Sequence, residues 1–253
     1  MKWNLLGAFL TLPWSTQALA LELASVTTPA ATASIAPRLT LDHEQRALLS
    51  WIEKSERGHQ LRFARLEGDH FGRAQTVIEH ERLFVNWADT PGLRVLPNGR
   101  YLAHWLQRSG QGTFAYDVMV SISDDQGLNW SQPAAPHDDG TLTEHGFVST
   151  FSAGPDQLGL VWLDGRETQP APVDGGHQHH GTGAMTLRTA QLNASGEFVR
   201  SALLDARVCD CCGTAAARTN SGVVIAYRDR SEDEIRDIRL IRQTDQGWSQ
   251  PVS

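Results

Sequence analysis

The sequence has no apolar run long enough to cross a bilayer, no block of lysine or arginine, and only three methionines and three cysteines among 253 residues. A spanning helix needs about 20 consecutive apolar residues, and the longest candidate, Leu5 to Leu12, stops at Pro13. A formal charge of −7 without any basic cluster argues against nucleic acid and against anionic membrane as partners. Apolar spacing of three and four, the mark of stacked amphipathic helices, is missing as well. Stretches such as Val118-Met119-Val120-Ser121-Ile122 alternate with a period near two. What is plentiful is tryptophan, eight residues, and glycine, 22, a composition that suits many short strands joined by tight turns.

Residues 1–20 begin with Lys2, run through the apolar stretch and close on Ala18-Leu19-Ala20, a small-x-small cleavage pattern. This reads as a secretory signal peptide. Its removal takes Lys2 with it and moves the formal charge from −7 to −8. No cysteine stands directly after the cleavage site, so lipid attachment is not expected. The expected location is periplasmic or secreted, with residues 21–35 as a linker and residues 36–253 as the folded unit.

Four segments of that unit align with one another. Each opens with a hairpin whose second strand ends in an aromatic residue: Leu39 to Trp51, Leu93 to Trp105, Val148 to Trp162 and Ala215 to Tyr227. The turns between carry turn-forming residues, Pro97-Asn98-Gly99, Gly154-Pro155-Asp156 and Asn220-Ser221-Gly222. A second alternating pair follows in each segment, with Gly68, Gly127, Gly196 and Gly247 at equivalent turns. Four antiparallel strands per repeat are the content of a propeller blade, so the expected fold is an all-β β-propeller.

In the second repeat the turn reads Ser123-Asp124-Asp125-Gln126-Gly127-Leu128-Asn129-Trp130. It resembles the Asp-box, S-x-D-x-G-x-T-W, of bacterial sialidases, with Asn129 where Thr or Ser is usual. The Ser and Asp side chains are expected to tie down the turn's own amides, Gly to take the left-handed conformation, and Trp to fill the gap beside the next sheet. Asp245-Gln246-Gly247-Trp248 is a shortened copy. The phrases FVNWADTPGL, EHGFVS, VWLDGRET, VCDCCGTAAA and YRDRSEDEIRDI extend the resemblance to an exported bacterial group of sialidase-like proteins, over nearly all of the chain after its leader. The resemblance implies a six-bladed propeller of which about four blades are present, Ser253 falling inside the outer strand of the fourth.

In a four-stranded blade, the loops joining first to second and third to fourth strands share one face, and the remaining loops share the other. The Asp-box marks the first face, so the second is expected to hold the pocket. Its loops contain Asn86, Trp87 and Asp89; Glu144 and His145; Asp164, Gly165 and Arg166; Asp210; and Arg228, Asp229 and Arg230. The candidate catalytic acids are Asp89, Asp164 and Asp229, and the candidate substrate-binding residues are Asn86, His145, Arg166, Arg228 and Arg230. Structural Asp–Arg pairs are the alternative for these same residues. Sialidase chemistry, as the resemblance implies it, adds Arg side chains gripping a carboxylate, an Asp acid/base and a Tyr assisted by Glu. The R-I-P motif expected near the first blade is absent, and the nearest text is Ala36-Pro37-Arg38.

Two further clusters stand out. The histidines of residues 167–183, His177, His179 and His180, lack cysteine or carboxylate partners at fixed spacing and read as an exposed loop. Cys209-Asp210-Cys211-Cys212 leaves an odd thiol without a partner, and bonding Cys209 to Cys211 or Cys212 is strained. Longer relatives, as the resemblance implies, carry another cysteine that would complete two bridges or a small metal site. No metal ligand is assigned and no cofactor is expected, while a copper or zinc role for the cysteines stays open. The functional expectation is a carbohydrate-directed propeller, acting on or binding glycans in the manner of an exo-α-sialidase. The alternative is a non-catalytic periplasmic propeller that binds a metal or a protein partner.

Overall fold

The computed structural model describes residues 23–154, 156–169 and 183–253. The leader expected at 1–20 and the tract with His177, His179 and His180 lie outside the described residues. Among those described, sixteen strands form four antiparallel sheets in chain order. The first holds β1 (Ile35–Leu41), β2 (Ala47–Ser55) and β3 (Gly58–Glu67), with β4 (His70–Phe71) and β5 (Gln75–His80) both paired to β3. The second holds β6 (Gly92–Val95), β7 (Tyr101–Arg108) and β8 (Tyr116–Ser123). The third holds β9 (His145–Ser152), β10 (Leu158–Asp164), β11 (Met185–Leu192) and β12 (Phe198–Val208). The fourth holds β13 (Ala215–Thr219), β14 (Gly222–Arg228), β15 (Ile238–Thr244) and β16 (Gly247–Trp248).

The hairpins appear where the sequence repeats. Two outer strands are less regular than the repeat suggests. Beyond β8 the sheet continues through isolated pairings, the bridges from Val120 to Ala134 and from Tyr116 to Glu144 and the bond from the Ser131 amide to the Ile122 carbonyl, and Pro133 and Pro136, which have no N–H to donate, interrupt a fourth strand. In the fourth sheet β16 stops at Trp248; the Ser249 amide still donates to the Arg242 carbonyl at 2.8 Å, and after Pro251 a bridge joins Val252 to Leu240.

Three apolar cores join the sheets in succession. The first packs Leu48, Leu61 and Phe63 against Leu93, Tyr101 and Trp105. The second packs Leu102, Tyr116 and Val118 against Val148, Leu160 and Trp162, and the third packs Phe151, Val161 and Leu187 against Ile225, Tyr227 and Ile241. Burying an aliphatic or aromatic side chain is worth about 1.5–3 kcal/mol, so these interfaces, more than the strand pairing, fix how the sheets stack.

The Ser123 to Trp130 turn folds as its residue types require. Ser123 Oγ accepts the Gly127 amide at 2.8 Å, and Asp125 Oδ1 accepts the Asn129 amide at 2.8 Å. Asn129 thus fills the role of the usual hydroxyl residue, its Nδ2 donating to Asp125 Oδ2 at 2.6 Å. Gly127 has φ of 87°, and a Cβ there would sit 2.4 Å from Phe63 Cζ. Trp130 meets Phe63 edge-on at 6.3 Å, and Trp248 meets Phe151 at 6.1 Å. Both indoles therefore pack on the sheet before their own, whereas the sequence reading had them fill the gap beside the next.

A second repeated unit ties the middle of three sheets together. Trp51 pairs across the ladder with Arg62, Trp162 with Arg188 and Tyr227 with Arg239. Two residues after each aromatic stands an acid: Glu53, Asp164 and Asp229. Glu53 takes the Trp51 indole N–H at 2.8 Å and Arg62 at 2.7 Å; Asp164 takes the Trp162 indole at 2.9 Å; Asp229 pairs with Arg239 at 2.8 Å. The second sheet departs from this pattern, with Gln107 after Trp105 and Met119 opposite.

Candidate functional site

Contacts between loops separate the two faces. On the turn face, Asn98 donates to Asp156 at 2.8 Å and Arg100 binds Asp124 at 2.6 Å. A groove of about 390 Å³ lies on this side, lined by Arg65, Gln75, Asp124, Asp125, Gln126 and Leu128. The opposite face brings together Asp89, Tyr116, Glu144, His145 and Arg166, and carries the unusual titrations. Neither Asp124 nor Asp125 in the groove is buried, whereas the opposite face carries buried Asp89 and half-buried Glu144.

Asp89 sits just before β6, 3% exposed, and its Oδ2 accepts the Phe147 amide at 2.6 Å. Burial pushes its carboxyl up to about 7; the Phe147 amide works against that, the Glu144 charge adds to it and Arg38 opposes it. Such closeness to β9 depends on Gly146, where a Cβ would meet Asp89 Oδ2 at 2.0 Å. Glu144 is half-buried and receives the Tyr116 hydroxyl at 2.6 Å. Burial raises its carboxyl as well, with Tyr116 holding it back. Tyr116 itself is buried, stacked on Phe84 at 4.2 Å, and burial together with Glu144 drives its phenol far above its ordinary value. It is a protonated donor that positions Glu144.

Beneath this pair, the first strands of neighbouring sheets run side by side, β1 beside β6. Arg38 on β1 and Arg94 on β6 are half-buried. Both guanidinium groups lie below their ordinary values because burial strips their water; Asp89 relieves Arg38, and Arg38 repels Arg94. Arg94 is anchored to Thr150, Nε to Oγ1 at 2.8 Å and Nη2 to the carbonyl at 2.7 Å. Burial and the same two arginines hold His104 neutral, pushed down to about 3. Gly92 makes room for the group, since a Cβ there would lie 2.9 Å from His104 and 3.0 Å from Arg38.

The other sequence candidates are occupied differently. Asp164 is fully buried, and besides the Trp162 indole it binds Arg166 Nε at 2.7 Å and Nη2 at 2.8 Å. Arg166 is also held by Asp139 at 3.1 Å, which leaves little of its guanidinium for a ligand. His145 is fully buried, stacked on His137 at 3.9 Å and 3.2 Å from Asp139. Asp139 is held at about 2: burial pushes it up, but Thr141, His145 and Arg166 prevail. These residues form a packed polar support behind the site. Asp229 belongs to the repeated aromatic–acid–arginine unit, so its carboxylate and that of Asp164 have structural partners in place of solvent.

Asn86 caps its own loop through the Ala88 amide at 2.8 Å, beside Trp87, which is 91% exposed. Arg230 is taken up by Glu234 at 3.0 Å, and Arg228 by the Arg236 carbonyl at 3.2 Å and by Cys212. Arg94, Tyr116, His137 and Asp139 are not among the residues the sequence singled out. Asp139 and His137 lie in the loop before β9, which loop parity places on the same face.

No protein-family model matches the sequence, and no curated protein sequence matches it. Solved structures do. The chain is similar to the GH93 α-L-arabinofuranosidase of Fusarium graminearum at 12% identity and a TM-score of 0.55, covering 87% of this chain and 65% of that one. A Dyadobacter fermentans protein of unknown function aligns at 13% identity and 0.52, over 79% of this chain and 50% of its own. A PL25 ulvan lyase aligns at 10% identity and 0.50, over 84% and 56%. The chain has a β-propeller fold. It spans less than two thirds of the length of each of these propeller neighbours.

Proposed function

We propose that this propeller is a glycan-directed enzyme that hydrolyses the bond to an acidic sugar, in the manner of an exo-α-sialidase, with Asp89 as the proton donor. The observation that carries the reading is the Asp89 carboxyl, buried and pushed to about 7 beside a second carboxyl, Glu144. A carboxyl held protonated near neutrality can give its proton to a leaving oxygen, and Glu144, whose ionised form the Tyr116 hydroxyl favours by donating to it, can stabilise the positive charge that develops on the sugar. In this scheme Asp89 gives its proton to the departing oxygen as the glycosidic bond breaks. Glu144, oriented by Tyr116, faces the electron-poor carbon. Water then supplies hydroxide to the sugar and a proton back to Asp89.

The acidic substrate class is supported by Arg38, a desolvated guanidinium beside Asp89, with Arg94, held by Thr150, adding its positive charge next to it. A carboxylate is the ligand a guanidinium fork fits best. Trp87, exposed beside Asp89, offers a flat apolar surface to a ring. The arabinofuranosidase solved with arabinobiose and the lyase bound to a glucuronate-containing chain lend support from the same fold. The proposal also has the protein exported, on the sequence of residues 1–20 alone.

The test is a panel of fluorogenic glycosides comprising an α-sialoside, a β-glucuronide and an α-L-arabinofuranoside, with calorimetry on the unlabelled sugars. Turnover of an acidic substrate that disappears in Asp89→Asn and acquires a raised KM in Arg38→Ala is expected. Binding without turnover would reduce the site to a lectin, and neither binding nor turnover would overturn the proposal.

A further inference from the structure

Cys209, Cys211 and Cys212 are used by nothing in the preceding scheme. Their three sulfurs form a near-equilateral triangle: 3.5 Å from Cys209 to Cys211, 3.8 Å from Cys209 to Cys212 and 3.8 Å from Cys211 to Cys212. All three are free thiols. The loop that carries them is pinned at both ends. The Cys209 amide donates to the Arg228 carbonyl at 3.0 Å, and Thr214 Oγ1 donates to the Phe147 carbonyl at 2.8 Å. Cys209 is buried while Cys211 is exposed, so the triangle has a packed floor and an open side.

An ion at the centre of this triangle would lie about 2.1 Å from each sulfur, and a small rise out of the plane brings that to the roughly 2.3 Å of a metal–thiolate bond. The ligands are three soft sulfurs, and no fourth His, Cys or carboxylate among the described residues joins them. Zinc structural sites are almost always four-coordinate. A set of three thiolates suits a soft ion with a lower coordination number. Arg228 Nη1 stands 3.4 Å from Cys212 Sγ and can donate to the sulfur, the kind of outer contact that orients a ligand and offsets its charge.

We propose that Cys209, Cys211 and Cys212 form a three-thiolate site for a soft monovalent cation, Cu(I). Binding releases three thiol protons and leaves a net charge of −2 on the ion and its sulfurs, which Arg228 and the nearby Arg230 partly balance. The site is independent of the glycan proposal, since it shares no residue with Asp89, Glu144 or Arg38.

The experiment uses the full chain, reduced and kept under inert gas, titrated with Cu(I) against a chromogenic Cu(I) chelator. One equivalent per chain should be withdrawn from the chelator, with ultraviolet absorption from thiolate-to-copper charge transfer and an X-ray absorption shell of sulfur only. Cys211→Ser and Cys212→Ser, both at the accessible side and checked for folding by circular dichroism, should each weaken retention by roughly 100-fold, and Arg228→Gln by about 10-fold. A chain with His177, His179 and His180 replaced by alanine should still take one equivalent. Failure to hold copper against the chelator, retention unaffected by the cysteine changes, loss of copper in the histidine variant, or stoichiometric displacement of Cu(I) by Zn(II) would each overturn the proposal. Glycoside turnover is read separately, so loss of one function leaves the other measurable.

Discussion

Replacing Asp89 by asparagine removes a titration while keeping an oxygen that can accept the Phe147 amide. In the folded chain the Asp89 carboxyl is pushed from its ordinary 3.8 to about 7. A group raised by folding favours the folded state fully below its unfolded value, and that contribution is lost as the pH climbs through the folded one. Three units correspond to about 4 kcal/mol, at 1.36 kcal/mol per unit. The wild-type chain should therefore lose up to about 4 kcal/mol of stability from this group between pH 4 and pH 8, and Asp89→Asn should not. The assay is urea unfolding of both proteins at half-unit pH steps. The difference in unfolding free energy, variant minus wild type, should grow across that window and level off above it. Parallel pH profiles would refute the reasoning, since they would mean that Asp89 titrates alike in both states.

Asp164→Ala should behave in the opposite manner. It leaves the buried Trp162 indole without its acceptor and Arg166, half-buried, with Asp139 alone, so the chain should lose about 1–3 kcal/mol at neutral pH by chemical denaturation. Gly146→Ala should displace Asp89, because its Cβ would fall 2.0 Å from Oδ2; hydrolysis should drop at least 10-fold while the circular dichroism spectrum stays that of a sheet protein. Gly127→Ala combines a φ of 87° with a clash at Phe63, so the thermal midpoint should fall by several degrees without effect on ligand affinity at the opposite face. Tyr116→Phe should leave the fold intact and shift the pH dependence of turnover, since Glu144 loses the 2.6 Å hydrogen bond that favours its ionised form.

The sheet order was legible because the repeat writes itself in local signals: turn residues, alternation and an aromatic at the end of every second strand. Loop parity likewise separated Asp89, Asp164 and Asp229 from the turn face, a division that depends only on strand count. What sequence could not reveal is which of those acids has a partner. Asp164 and Asp229 stand two residues after an aromatic, as Glu53 does; Asp164 binds its near neighbour Arg166, a pairing the sequence allowed as an alternative, whereas the arginine of Asp229 is Arg239, across the ladder on the third strand and 10 residues away in the chain. Asp89 has no counterpart in that unit, and its environment is assembled from β1, β6 and β9, three strands of three sheets. Arg38 was visible only as a departure from an expected motif, and Arg94 not at all, because a single arginine in an alternating strand is ordinarily a solvated residue. The indole of Trp130 turned toward the earlier sheet for a reason equally remote from the motif, the presence of Phe63 there.

The measurement that bears most directly on Asp89 as the acid of a glycan site is the pH dependence of kcat/KM on the best acidic glycoside, for the wild type and Asp89→Asn. That parameter reports the ionisations of the free enzyme. An acid that must be protonated predicts a rate falling about tenfold per pH unit above about 7, with that limb missing from whatever activity the variant retains. A limb near 4 in the wild type, or the same profile in both proteins, would contradict the account.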